Sequence, residues 1–173
     1  DAEYKGSERA SNALQTYWPY YGLNEYSGLW TEQGMALALT AYNELLNDGE
    51  KYWTWYGFDS HVEWCAIFVS WCAAQRGYIA EGIMPLCSSV DSQANGYAWY
   101  YSHGESFAAS PDITPAPGWI AFFKRGHTGI VYSYTDEYVY LIERSTGDVV
   151  RLNEYPLDTV GEILWWSVPP YTH

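Results

Sequence analysis

The run 61-HVEWCAIFVSWCAAQRG-77 decides how the rest of this 173-residue chain is read. Cys65, Phe68, Val69 and Cys72 recur at i, i+3, i+4 and i+7, and Ala66, Ile67, Trp71 and Ala73 make the remaining faces apolar as well. A helix that is apolar all round is buried, so this one is expected in the core. Gly77 after Arg76 stops it, and Glu63 lies at its entry, where the positive end of the helix dipole favours a carboxylate. Cys65 then falls in the first turn. Free backbone N–H groups and the dipole stabilise a thiolate there and can bring a cysteine below its usual pKa of about 8.5. Cys72 reads as a small core residue. Roughly 10 Å of helix rise separates it from Cys65, too far for a disulfide.

Composition bounds the partners. Hydrophobic residues make up 48% of the chain and charged ones 17%, which suits a single domain with a real core. Eight basic against 21 acidic side chains leave a net charge of −13, which argues against nucleic acid and against a membrane surface as partners. An anionic polymer would repel the same charge, so attraction to such a surface would have to come from a separate targeting module. Ten Trp and 18 Tyr admit two readings. One is sugar-stacking platforms; the other, favoured because many lie in helix-like or strand-like runs, is a core and groove rim built from amphipathic rings. Cys65, Cys72 and Cys87 match no zinc spacing, and their odd number speaks against a disulfide scaffold. With no membrane-spanning apolar run, no signal peptide and no initiating Met, the chain reads as a processed or excised portion of something longer.

Along the chain, residues 1–30 form an N-terminal extension of unassigned role, a short helix through Ala10 to Tyr17 followed by the packed loop WPYYGLNEYSGLW. It either docks on the domain surface or covers a groove. Thr31 is the N-cap of a helix from Glu32 to about Asn47, with Met35, Leu37, Ala38, Ala41, Tyr42 and Leu45 on its apolar face. The alternating aromatics of KYWTWYGF read as an extended connector and one wall of a groove. Cys87 is an incidental thiol in the loop after the cysteine helix, open to exposure, and a helix interrupted at Gly96 runs from Ser89 to Tyr101. From Pro111 the texture changes. After the turn PDITPAPG come strand-like runs at Trp119–Phe123, His127–Tyr134, Tyr138–Glu143, Val149–Asn153 and Glu162–Val168. Helices first and an antiparallel sheet afterwards make an α+β fold.

Here a family resemblance enters. EWCAIFVSWCA resembles the nucleophile segment of the CHAP family, the cysteine- and histidine-dependent amidohydrolases and peptidases of bacterial cell walls. GEKYWTWYGF, PGWIAFF, HTGIV and EILWWSVPPY each resemble the corresponding CHAP stretch, and together they span roughly residues 32 to 171. The resemblance implies a catalytic domain over residues 31–173. It also implies a papain-like fold, with the cysteine helix packed on a consecutive antiparallel sheet. The implied partner is peptidoglycan, the setting extracellular or cell wall-associated, and the state a monomer or one module of a longer chain. No cofactor is expected. Some CHAP domains carry calcium near the nucleophile, but Asp59 and Glu63 are the only carboxylates close by in sequence. A calcium site takes about 6 to 8 oxygens, so no metal is expected.

Cysteine attack on an amide needs a base and a group that orients it. Of His61, His103, His127 and His173, only His127 starts a strand-like run, after the short loop Lys124-Arg125-Gly126, and HTGIV is similar to the family's catalytic histidine segment. By resemblance Glu143 in LIERST is the third member, and Ser145 stands where the family commonly has Asn. The alternative for Glu143 is a strand-end carboxylate paired with Arg144 or Arg151. Trp55, Tyr56, Trp64 and Trp119 are expected to line the substrate groove.

Strand arithmetic links the site residues. With Thr135-Asp136-Glu137 as the loop, Tyr134 pairs with Tyr138, Val131 with Leu141, Gly129 with Glu143 and His127 with Ser145. Glu143 then lies diagonal to His127, across a glycine that leaves it space. Three functions fit. They are an amide-cleaving peptidoglycan hydrolase using Cys65, a non-catalytic wall-binding domain on the same fold, and a secreted antibacterial effector with the same chemistry.

Overall fold

The computed structural model describes residues 31–90, 97–157 and 161–173; the N-terminal extension lies outside them. Among the described residues the elements run α1 (Glu32–Tyr42), α2 (Glu50–Tyr56), α3 (Cys65–Gln75), α4 (Tyr97–His103), β1 (Glu105–Ala108), β2 (Ile120–Phe123), β3 (His127–Tyr134), β4 (Tyr138–Ser145), β5 (Val149–Pro156) and β6 (Ile163–Val168). This is the α+β arrangement expected, with one difference in topology. The antiparallel sheet has the order β1-β6-β2-β3-β4-β5, so the consecutive hairpins span only β2 to β5, and β6 inserts between β1 and β2.

Thr31 caps α1 as expected, its Oγ1 accepting the Gly34 N–H at 2.8 Å. The helix ends at Tyr42, short of Asn47, because the next residues are drawn onto the sheet. Leu46 turns into left-handed backbone at φ 72°, its N–H donates to Val150 O, and Val150 N–H donates to Asn47 O. KYWTWYGF is the helix α2 and not an extended connector. Asp48 Oδ1 accepts the Glu50 N–H at its start, and Gly57 at φ 123° ends it. Ser89 and Val90 are not helical, residues 91–96 lie outside the described residues, and α4 extends to His103.

Alternate residues of the central strands enter two cores. Ile120, Phe122, Ile130, Tyr132, Tyr140 and Ile142 pack against the helices, around Phe68 and Leu37. Ala121, Val131, Val139 and Leu141 pack on the other side with Trp119 and Trp166, covered by Met35, Phe107 and Ile113. β3 is consequently buried along its whole length. The helix layer comes close because α1 meets the entry to β2 backbone to backbone. A Cβ on Gly118, itself at φ 87°, would lie 2.3 Å from Gly34 Cα.

The β3–β4 hairpin departs from the expected register at its tip and regains it at its base. Tyr134 pairs with Val139 and Ser133 with Tyr140, one residue out of step with the expected ladder. A bulge between Val131 and Ser133 absorbs the difference, and Val131 pairs with Leu141 and Ile130 with Ile142 as expected. The bulge therefore keeps Glu143 on the Gly129 side of the sheet.

Candidate active site

Cys65 is the first residue of α3, with Trp64 as its N-cap. Trp64 offers no side-chain oxygen to the first turn, and its carbonyl takes the first helical bond, from Phe68 N–H at 2.9 Å. The N–H groups of Cys65, Ala66 and Ile67 thus stand outside the helical ladder, where they can serve an incoming anion. All three cysteines are buried thiols, but Cys65 keeps 9% of its surface while Cys72 keeps 0%. Burial first, and then the Glu44 carboxylate, push the Cys72 thiol well above its ordinary range. Cys87, which the sequence left open to exposure, is buried; its Sγ donates to Ser89 O at 2.9 Å, and its N–H donates to Ser70 Oγ.

The His127 side chain lies close enough to the Cys65 thiol for the sulfur to shift its titration, and it faces Glu143 with Nε2 3.5 Å from Oε1. Burial lowers the imidazole pKa, but the nearby Cys65 sulfur and the Glu143 carboxylate outweigh it and raise the value to about 9. The imidazole is therefore protonated at neutral pH. Phe123, its partner across the β2–β3 hairpin, packs on it with ring centroids 5.0 Å apart.

Glu143 is 1% exposed, and a carboxylate so buried must be paired. Its Oε1 accepts Asn153 Nδ2 at 3.0 Å and the Tyr155 hydroxyl besides facing His127. Oε2 points at the space over Gly129, where an added Cβ would sit 2.9 Å away. The reading of Glu143 as a surface partner of Arg144 gives way to this arrangement, since Arg144 turns to Glu63 and Asp148. Burial, followed by the Glu143 charge, keeps the Tyr155 phenol protonated far above its usual range, so it remains a donor. Ser145 makes no hydrogen bond to His127; its Oγ accepts the second bond of Asn153 Nδ2 at 3.0 Å. Asn153 and Tyr155 were missed in the sequence. Their signal lay in the β4–β5 register, which puts Asn153 opposite Leu141 and Arg151 opposite Glu143, and so places Asn153 diagonal to Glu143.

Two of the four expected groove residues are core residues instead. Trp64 is fully buried, stacked on Tyr52 at 5.4 Å and set so close to Gly49 that a Cβ there would lie 2.2 Å from its Nε1. Trp119 is fully buried in the outer core, stacked on Phe107 at 5.8 Å. Neither can touch a substrate. Trp55 and Tyr56 stand on α2, where Trp55 is exposed and Tyr56 stacks on the exposed Phe58. Among the described residues no three His, Cys, Asp or Glu side chains gather to hold a metal. Of the carboxylates considered for calcium, Glu63 pairs with Arg144.

A family model for the CHAP domain matches residues 47–145. The chain belongs to the CHAP domain family. The matched span holds Cys65, His127 and Glu143 and ends at Ser145, so Asn153 and Tyr155 lie beyond it. No curated protein and no solved structure matches the chain. The CHAP domain is of the peptidoglycan amidase and peptidase type, a hydrolase class, and no helix among the described residues is long and apolar enough to cross a membrane.

Proposed function

We propose that this CHAP domain hydrolyses an amide bond of peptidoglycan by cysteine nucleophilic catalysis, on a papain-like fold. The bond is the sugar-to-peptide linkage or one within the stem peptide or cross-bridge. The reading is supported above all by the line of contacts from the Cys65 thiol through His127 to the buried Glu143. Cys65 Sγ, its proton resting on the His127 imidazole, bonds to the carbonyl carbon. The Cys65 backbone N–H, at the open start of α3, receives the developing oxyanion. As the C–N bond breaks, the imidazolium hands its proton to the departing amine. Water then attacks the thioester, His127 accepts its proton, and the acid leaves as the sulfur departs as a thiolate beside the imidazolium. Glu143 holds the ring and favours its charged form, and Asn153 and Tyr155 hold Glu143.

Of the four expected groove aromatics, Trp55 and Tyr56 are the two that can meet the substrate, and the domain works outside the cell, at the wall. With a net charge of −13, its delivery to an anionic wall rests on another module or partner. Incubation with purified peptidoglycan is expected to generate new amino groups without new reducing sugar ends. Reducing ends without amino groups would replace amide hydrolysis with glycosidic cleavage.

A further inference from the structure

Successive residues of β4 point to opposite faces, and at Glu143 and Arg144 the two faces do different things. Glu143 holds the imidazole. Arg144 reaches the loop that leads into the nucleophile, its Nη1 on Glu63 and its Nε on Asp148 Oδ1 at 3.1 Å. Asp148 closes the β4–β5 turn in left-handed backbone at φ 59°, after Gly147 at φ 81°. This conformation is uncommon outside glycine, though aspartate adopts it more readily than most residues. The same Oδ1 accepts the indole N–H of Trp64 at 2.9 Å, and Oδ2 contacts His61 Nε2 at 3.1 Å. Three of the four residues before Cys65 are thus tied to this one turn, directly or through Arg144. Trp64 adjoins the nucleophile, and its ring is pinned by Gly49 and Tyr52, so displacement of the indole passes directly to the backbone of Cys65.

We infer that Asp148 and Arg144 form a clasp that positions the nucleophile: the β4–β5 turn sets the start of α3 against His127, while the preceding residue of β4 sets His127 itself. Both are positioning residues, since neither touches the reacting atoms. The outer ion pairs add little stability by themselves, because half-exposed pairs are worth at most about 1 kcal/mol. Their part is geometric, and a displacement of about 1 Å at a reacting group can cost on the order of a hundredfold in rate. The consequence for turnover rests on the amidase reading; the consequence for the thiol does not.

The test is the alkylation rate of Cys65 by iodoacetamide at pH 7, resolved from Cys72 and Cys87 by peptide mapping. It is run beside hydrolysis of soluble peptidoglycan fragments, for wild type, Asp148→Ala, Asp148→Asn and Arg144→Met. Asp148→Ala is expected to slow Cys65 alkylation about fivefold or more and to lower kcat about tenfold or more with KM within about twofold. Labelling of Cys72 should not rise. Asp148→Asn, which keeps an acceptor for Trp64 but loses the charge, should recover part of both losses, and Arg144→Met should fall between it and Asp148→Ala. If Asp148→Ala does not fold, a clear slowing in Asp148→Asn and Arg144→Met carries the proposal, and wild-type rates in both overturn it. Wild-type alkylation in a folded Asp148→Ala, or a rise in KM alone, also overturns it. A wild-type protein that cuts no peptidoglycan, yet whose Cys65 alkylation slows in Asp148→Ala, would leave the clasp standing and remove the amidase reading.

Discussion

Cys65 and Cys72 sit about two turns apart on one helix, and nothing in their covalent chemistry separates them. Cys65 opens α3 with part of its surface accessible, backbone N–H groups outside the ladder, and a protonated imidazole close to its sulfur. Cys72 lies in the helix interior with no surface, in a core with Phe68, Tyr52 and Ile67, and its thiol is held neutral. The difference lies in position along the helix and in what the sheet presents to each. On the proposed reading, a cysteine is made reactive here by the end of one element and the His127–Glu143 pair on another.

The comparison breaks most sharply under exchange of the two thiols for methyl groups. Cys65→Ala is expected to lower hydrolysis by at least about a thousandfold while the melting temperature stays near wild type, as for removal of a nucleophile from a working unit. Cys72→Ala should keep full activity. Its cost should appear as about 1 kcal/mol in urea unfolding, from the lost buried sulfur. Activity that survives Cys65→Ala and disappears in Cys72→Ala would invert the assignment.

A smaller effect is expected when the sheet's half of the difference is removed. Glu143→Gln should lower kcat by about 10- to 100-fold and bring the imidazole titration down from about 9 toward its ordinary value. The same pair makes stability depend on pH. Because the folded pKa of His127 is raised above its unfolded value of 6.5, its contribution is complete below pH 6.5 and is lost as pH rises through about 9. Urea midpoints measured from pH 6 to 10 should fall more across that window in wild type than in Glu143→Gln. Equal slopes would mean that His127 gains nothing from Glu143. Gly129→Ala is gentler still. Its Cβ would press on Glu143 Oε2 at 2.9 Å and Cβ at 3.0 Å, so a loss of about three- to tenfold in kcat is expected, with alkylation of Cys65 slowed and that of Cys72 untouched. Ser145→Ala should do least, about twofold or less, because its bond is to Asn153 and not to the imidazole.

The helix and the strands that carry the site were legible because their patterns are local. Apolar residues on every face marked α3 as buried, Thr31 announced α1, and a strand beginning at His127 followed from its turn. The position of Glu143 relative to His127 was legible for a subtler reason. The hairpin tip was placed one residue out of register, and the bulge at Tyr132, invisible in the sequence, restored the ladder before it reached the site. α2 is a helix and not the expected extended connector because Tyr52, Trp53, Trp55 and Tyr56 recur at helical spacing, a pattern that in so short an aromatic run resembles alternation. Trp64 and Trp119 were placed in a groove because the amphipathic character of tryptophan does not say which side it packs on, and here Gly49 and Phe107 make the pockets that bury them. Asn153, Tyr155 and Asp148 are contributed by β5 and its turn. Their roles arise only when that strand lies beside β4, a long-range pairing that no local pattern encodes.

The central claim is that Cys65 cleaves an amide of peptidoglycan. Its most direct test is digestion of purified peptidoglycan by the wild-type domain and by Cys65→Ala, with the released fragments weighed by mass spectrometry. Wild type is expected to release fragments in which one amide has gained water, leaving a new amine and a new carboxyl, and Cys65→Ala to release none. The same fragments from both proteins, or wild-type fragments cut between sugars, would contradict it.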